Sequence, residues 1–212
     1  MRIVPFEHYA GQYDDWFVRH KSIYEAELEA IRQLLPLVGS GIEIGVGSGR
    51  FAAPLDIGIG VEPSINMGKV ARGRGIEVVQ GVAEALPFHD CMFDCALLVT
   101  TICFVDDLEL SLKESYRILK SGAYIIIAFI DVTSPVGQLY DKHKQSSEFY
   151  RVAVFHSIPE VISALQRTGF GGMAFAQAIF HPSGGQDEAA IVKRGYGEGS
   201  FVVVRATKQE VW

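Results

Sequence analysis

The chain is predicted to fold as an α/β domain: a doubly wound, mainly parallel sheet with helices on both faces and an antiparallel hairpin at its C-terminal edge. Three observations carry this expectation. Short runs rich in Ile, Val and Phe recur at 41–46, 56–62, 76–81, 93–100 and 123–130. Helix-patterned stretches fall between them, near 48–54, 64–73, 83–86 and 107–119. Such alternation sets strands side by side and parallel, with right-handed crossovers that lay helices on both faces. The first strand also runs directly into Gly45, Gly47 and Gly49, a turn without side chains at alternate positions.

Before the first strand, Tyr13, Trp16, Phe17, Tyr24, Leu28, Ile31 and Leu35 recur at steps of three and four, the pattern of an amphipathic helix or of two in succession. Pro36 and Gly39 end it. In the segment 107–119, Leu108, Leu112, Tyr116 and Leu119 line one face, Asp106 or Asp107 can cap the start, and Gly122 marks the exit. "SIPE" at 157–160 is a capping box with Pro159 in the first turn, and Gly169 closes the helix it opens. The runs 172–180 and 200–207, separated by a Gly-rich polar loop, supply the edge hairpin.

Composition bounds the function. With 212 residues, 49% of them hydrophobic, and a mean hydropathy of +0.20, the chain can bury one substantial core. Nineteen basic residues against 25 acidic ones give a net charge of −6, and no stretch concentrates Lys and Arg, which argues against nucleic acid as a partner. The apolar run 123–132 is about half the ~20 residues a membrane span needs and reads as a buried strand. The N-terminus lacks the apolar core of a secretory signal. Cys91, Cys95 and Cys103 are odd in number and form no CxxC pair, which fits a reducing cytoplasm, buried thiols and no metal site.

A glycine turn at the carboxyl end of the first strand is where doubly wound sheets bind ligands. Arg50 stands at the sixth position of what would be a GxGxxG dinucleotide fingerprint, so the pattern is GxGxG instead. Glu43 precedes the glycines, and the second strand ends in "GVEPS", placing Glu62 where a carboxylate can accept from both hydroxyls of a ribose. The plainer alternatives are a structural turn and a solvated acid beside the cap of the next helix.

"IEIGVGSGRF", "GVEPS", "VVQGVAEALPFHDCMFDCALLVTT" and "ESYRILKSGAYIIIAF", in that order, resemble the small class I S-adenosylmethionine-dependent methyltransferases of the ubiquinone and menaquinone biosynthesis type, over residues 40–131. The resemblance implies a Rossmann-like fold, S-adenosylmethionine as cofactor and a small-molecule methyl acceptor. It implies that Gly45, Gly47 and Gly49 lie against the methionine and ribose, that Glu62 with the adjoining Pro63 takes the ribose hydroxyls, and that Val82, Ala83 and Glu84 edge the adenine. The Thr100 carbonyl would meet the cofactor's amino group, with Glu43 orienting that end through water. In the family, the segment before the first strand and an insertion after the fifth form a lid, which here means residues 1–39 as a helical cap and 134–156 as the insertion. Residues 40–212 then make the methyltransferase domain.

The sequence departs from the family at Val82, where the adenine-accepting carboxylate is usual, and at Ser121-Gly122-Ala123, a distant turn. The lid segments are aromatic, which suits an apolar or aromatic acceptor; Tyr9, Tyr13, Trp16, Phe17, Cys103 and His143 are the candidates to touch it, and Thr101 faces the same side. Alternatively these aromatics anchor the N-terminal helix. No catalytic base is assigned among His8, His20, His89, His143, His156 and His181, because a sulfonium is already an activated leaving group. A nicotinamide oxidoreductase, or a non-catalytic protein of the same fold, are the competing readings.

Overall fold

The computed structural model describes residues 3–36, 39–179 and 191–210. Three helices lead: α1 (Val4–His8), α2 (Ala10–Arg19) and α3 (Lys21–Arg32). Of the two N-terminal alternatives, the structure has two helices in succession, broken at His20, with α1 ahead of them. Then follow β1 (Gly41–Ile44), β2 (Ile59–Val61), α4 (Ile65–Gly73), β3 (Glu77–Val79), β4 (Phe93–Val99), α5 (Leu108–Ile118) and β5 (Leu119–Ile130). The C-terminal part adds α6 (Pro135–His143), α7 (Ile158–Arg167), β6 (Phe170–Ile179), β7 (Ile191–Arg194) and β8 (Phe201–Lys208).

These strands form one sheet in the order β3-β2-β1-β4-β5-β8-β6-β7, with β1 to β5 parallel and β8, β6 and β7 antiparallel. The parallel strands and the C-terminal antiparallel pair agree with the sequence. The pair sits inside the sheet, however, with β8 between β5 and β6, and the rim is β7, a short and largely exposed strand. Phe180, His181 and most of the Gly-rich loop lie outside the described residues.

Alternation along β5 sends Ile125, Ile127 and Phe129 to the core under α5 and α7, and Ile126 and Ala128 to the core under α2, α3 and α4. Two helices expected from the sequence do not form. Residues 48–54 make turns and end in a single 3-10 turn, Ala53–Leu55, and 83–86 form only a bridge between Val82 and Ala85. Left-handed φ angles of +55° at Gly47 and +80° at Gly49 break the helical path there. Helix α5 passes directly into β5; Gly122, at φ +70°, lies within β5 where its register against β4 shifts. The caps are as read: Asp107 accepts from Leu110 N–H, and Ser157 with Glu160 closes a capping box.

Candidate active site

β1 delivers the chain to the glycine turn at the carboxyl edge of the sheet. The amides of Gly45 and Val46 both donate to the Val61 carbonyl, at 2.8 and 2.9 Å, folding the turn over the end of β2. A Cβ on Gly45 would stand 2.5 Å from the Thr101 side chain, so the bare backbone permits a close approach between the ends of β1 and β4. Gly49 works differently. It lies outside the cavity wall, and its missing side chain lets α4 approach, with Ala71 3.3 Å from where a Cβ would be.

Glu62 is fixed at the end of β2. Its Oε2 accepts from the Gly47 amide at 2.9 Å and its Oε1 from the Ser64 amide at 2.8 Å. Burial pushes its carboxyl up to about 7 against the pull of those two amides, and Glu7 adds to the rise. Each oxygen keeps a lone pair for a further donor.

Around these groups opens a cavity of about 370 Å³ lined by Gly45, Gly47, Glu62, Pro63, Val82, Ala83, Glu84, Thr100 and Thr101 on the sheet side. Val82 offers an apolar edge. Glu84 takes part in the wall, but its Oε1 is engaged by the amides of Asp106 at 2.6 Å and Asp107 at 3.3 Å, securing the loop into α5. Thr100 sits at φ +48°, and its carbonyl accepts from Cys103 Sγ at 3.2 Å.

Glu43 is 1% exposed, and its Oε2 has no hydrogen-bond partner among the described residues. Burial drives its carboxyl well above the usual range, with an Ala52 amide opposing and Glu62 reinforcing. An orphaned acid beneath a backbone turn is costly, about 1–3 kcal/mol, unless a donor reaches it.

The roof is aromatic. Phe6, Tyr13 and Phe104 line the cavity, and Phe149 of the insertion packs on Phe6 at 5.4 Å and Tyr13 at 5.6 Å, between ring centres. Two carboxylates latch this roof to the sheet domain. Glu7 of α1 accepts from Ser64 Oγ at 2.6 Å and from the Asn66 amide, at the first turn of α4. Asp14 of α2 is forked by Arg50 and also bound by Arg74.

The structure brings together Gly45, Gly47, Glu62, Pro63, Val82, Ala83, Glu84, Thr100 and Tyr13, with Glu43 placed just before the turn. It does not bring the remaining acceptor candidates to this cavity. Phe17 is buried between Tyr13, Tyr24 and Phe51, and Trp16 stacks on His20, so both anchor α2. Tyr9 meets Phe149 outside the wall, and His143 is exposed at the end of α6. Cys103 lines a separate small void with Thr100, Tyr150 and His156. His8 and His89 are exposed; none of the described histidines lines the cavity, and His181 lies outside the described residues. Cys91, expected to be buried, is exposed, while Cys95 and Cys103 are buried. Among the described residues no acidic, His or Cys group is spaced to hold a metal, and no helix is long and apolar enough to cross a membrane.

Sequence reasoning missed Met67, Phe104, Asp106, Asp107 and Leu110 on the wall, the latches Glu7 and Asp14, and the buried Glu27 of α3. Only Glu27 left a readable signal. It shares the face of Tyr24, Leu28 and Ile31, an acid inside an apolar stripe.

A cradle of bare glycine backbone, a carboxylate at the end of β2, an apolar edge and an unsatisfied acid fit an adenosyl group with a charged amino-acid tail. A methyltransferase-domain family matches residues 42–127. A solved SAM-dependent methyltransferase of Thermotoga maritima, described as a possible histamine N-methyltransferase, superposes with a TM-score of 0.94 at 50% identity, over 98% of this chain and 100% of that one. An uncharacterized protein of Methanocaldococcus jannaschii is 44% identical over 96% of this chain and 98% of its own length. A ubiquinone/menaquinone biosynthesis C-methyltransferase of Klebsiella pneumoniae is 31% identical over 58% of this chain and 45% of its own length. The chain belongs to the class I S-adenosylmethionine-dependent methyltransferases; it is an enzyme of that family, and S-adenosylmethionine is its cofactor.

Proposed function

We propose that the enzyme methylates a small, apolar or aromatic molecule held beneath the aromatic roof. The observation that carries this reading is Glu62, oriented by the Gly47 and Ser64 amides in the wall of a cavity also lined by Phe6, Tyr13 and Phe104. Glu62 would accept from the ribose hydroxyls beside Pro63, while Gly45 and Gly47 give the backbone approach to ribose and methionine. Val82, Ala83 and Glu84 would edge the adenine. The Thr100 carbonyl would take the amino group, with Glu43 completing that end through water. Bound there, the cofactor supplies an electrophilic methyl group on a sulfonium.

The chain's own part is positioning. Alignment of donor and acceptor can be worth about 7–11 kcal/mol, and a dry, closed site sharpens it. The latched helices α1 and α2, in residues 1–39, together with the 134–156 insertion, act as the lid that closes it. Calorimetric titration with S-adenosylhomocysteine and NADH side by side tests the reading. S-adenosylhomocysteine should bind and NADH should not; the reverse order would point to hydride chemistry instead.

A further inference from the structure

Glu27 lies mid-helix on α3, between Ala26 and Leu28, and is only 6% exposed. It makes no hydrogen bond or ion pair with any described residue, and burial alone pushes its carboxyl up to about 8. A buried, unpaired acid destabilises a fold unless a ligand compensates it. Its surroundings say what such a ligand would be.

Glu27 is within Coulomb range of the hydroxyls of Tyr13, Tyr140 and Tyr150. Those rings belong to one aromatic cluster. Tyr140 stacks on Tyr150 at 5.2 Å, Tyr150 faces Phe104 at 6.3 Å, and Phe104 meets Phe6 at 4.8 Å. Tyr13 and Phe104 are also walls of the cofactor cavity, so the cluster and the cofactor site share a boundary. Aromatic faces attract cations, and a buried carboxylate is best compensated by one. A phenol would offer Glu27 a single hydrogen bond and no charge.

We infer that the methyl acceptor is a small amine, its nitrogen held by Glu27 among Tyr13, Tyr140 and Tyr150. This rests on the methyl-transfer reading above. The ammonium proton passes to the Glu27 carboxylate. The freed nitrogen lone pair forms the N–C bond as the C–S bond breaks, its electrons going to sulfur. The products are a methylated ammonium and neutral S-adenosylhomocysteine, and the proton leaves Glu27 for water.

The test uses the full chain, with histamine, tyramine and benzylamine as amine probes and catechol and thiophenol as neutral ones. Methyl transfer from S-adenosylmethionine, and calorimetric binding of each probe to the S-adenosylhomocysteine complex, are measured for the parent, Glu27→Gln and Glu27→Asp. At least one amine should be bound and methylated. Glu27→Gln should lower kcat/KM for it by about a hundredfold, the scale of losing one partner of a buried charge pair, with Glu27→Asp intermediate. S-adenosylhomocysteine affinity should hold within about threefold, under ~1 kcal/mol, and the Glu27→Gln melt should not fall. Transfer to catechol or thiophenol but to no amine, failure of every amine to bind the complex, or an amine turned over equally by Glu27→Gln would overturn the inference. Loss of S-adenosylhomocysteine binding by the parent would instead strike the methyl-transfer reading itself.

Discussion

Arg50 grips Asp14 with two parallel hydrogen bonds, Nε to Oδ1 at 2.8 Å and Nη2 to Oδ2 at 2.7 Å. Arg50 occupies the position where a dinucleotide fingerprint would carry its last glycine, and Asp14 belongs to α2. The residue that breaks the fingerprint therefore ties the roof helix to the glycine turn. Burial opposes ionisation of Asp14, but Arg50 and Arg74 outweigh it and hold the carboxyl below its ordinary value.

Asp14→Ala would leave two guanidinium groups without their acceptor. Charge-assisted hydrogen bonds of this kind contribute about 1.5–3 kcal/mol, so the melt should drop and amide exchange in α2 should quicken. With α1 and α2 in the proposed lid role, methyl transfer should suffer more than S-adenosylhomocysteine affinity. Hydrogen exchange that leaves α2 as protected as in the parent would show that the latch is not what closes it.

Three buried acids set the pH dependence of stability. Glu27, Glu43 and Glu62 each have a folded carboxyl pKa raised above 4.5, to about 8 for Glu27 and about 7 for Glu62. The folded state then binds more protons than the unfolded one between those limits. Their favourable contribution is complete below the unfolded value and is lost as pH rises through the folded values. Thermal melts should therefore fall between pH 5.5 and pH 8.5 by several degrees, at about 2–4 °C per kcal/mol for a chain of this size. Glu27→Gln should flatten part of that slope; an unchanged slope would mean Glu27 titrates normally.

Val82 lines the cavity where a carboxylate acceptor for the adenine would be expected, and Glu84 is already engaged by two amides of the α5 approach. Val82→Asp should tighten S-adenosylhomocysteine by roughly two- to a hundredfold, the worth of one hydrogen bond. A weaker complex would show that Val82 serves as apolar packing that the site needs.

Tyr13 and Trp16 separate the two meanings of an aromatic N-terminus. Trp16→Ala removes packing from the α2 anchor and should lower the melt, with transfer per folded molecule kept. Large-to-small aromatic changes in a core cost about 3–5 kcal/mol, and the partly buried Trp16 should lie at or below that range. Tyr13→Ala should spare more of the melt and lose transfer. Denaturation and turnover measured on both variants distinguish them, and a Trp16→Ala protein that melts normally but fails in turnover would reverse the assignment.

The parallel half of the sheet is legible in the sequence chiefly through β4 and β5, whose apolar runs Cys95–Val99 and Ile125–Phe129 are buried on both faces. The glycine turn and Glu62, the proposed cofactor cradle, are legible because Gly45, Gly47 and Glu62 serve the backbone itself, within one β-turn-β unit. The short rim strand β7 is not, since Ile191–Arg194 is largely exposed and leaves no apolar pattern. The acceptor side is legible only as a bias towards aromatics. Which of Tyr13, Trp16 and Phe17 meets the cavity depends on the roll of α2 about its axis, fixed by Asp14 contacting Arg50 and Arg74 far along the chain. Glu27 went unread for a related reason: a periodicity count sums the apolar positions and passes over the one acid among them.

Glu62 is proposed to hold the cofactor's ribose, and calorimetric titration of S-adenosylhomocysteine into the parent and Glu62→Ala proteins probes that role. Two charge-assisted hydrogen bonds, each about 1.5–3 kcal/mol, should be lost with the carboxylate, so affinity should fall at least tenfold. The parent's affinity should also weaken as pH drops below about 7, where the carboxyl takes up its proton. Equal affinity in the two proteins, with both folded, would remove Glu62 from the ribose site.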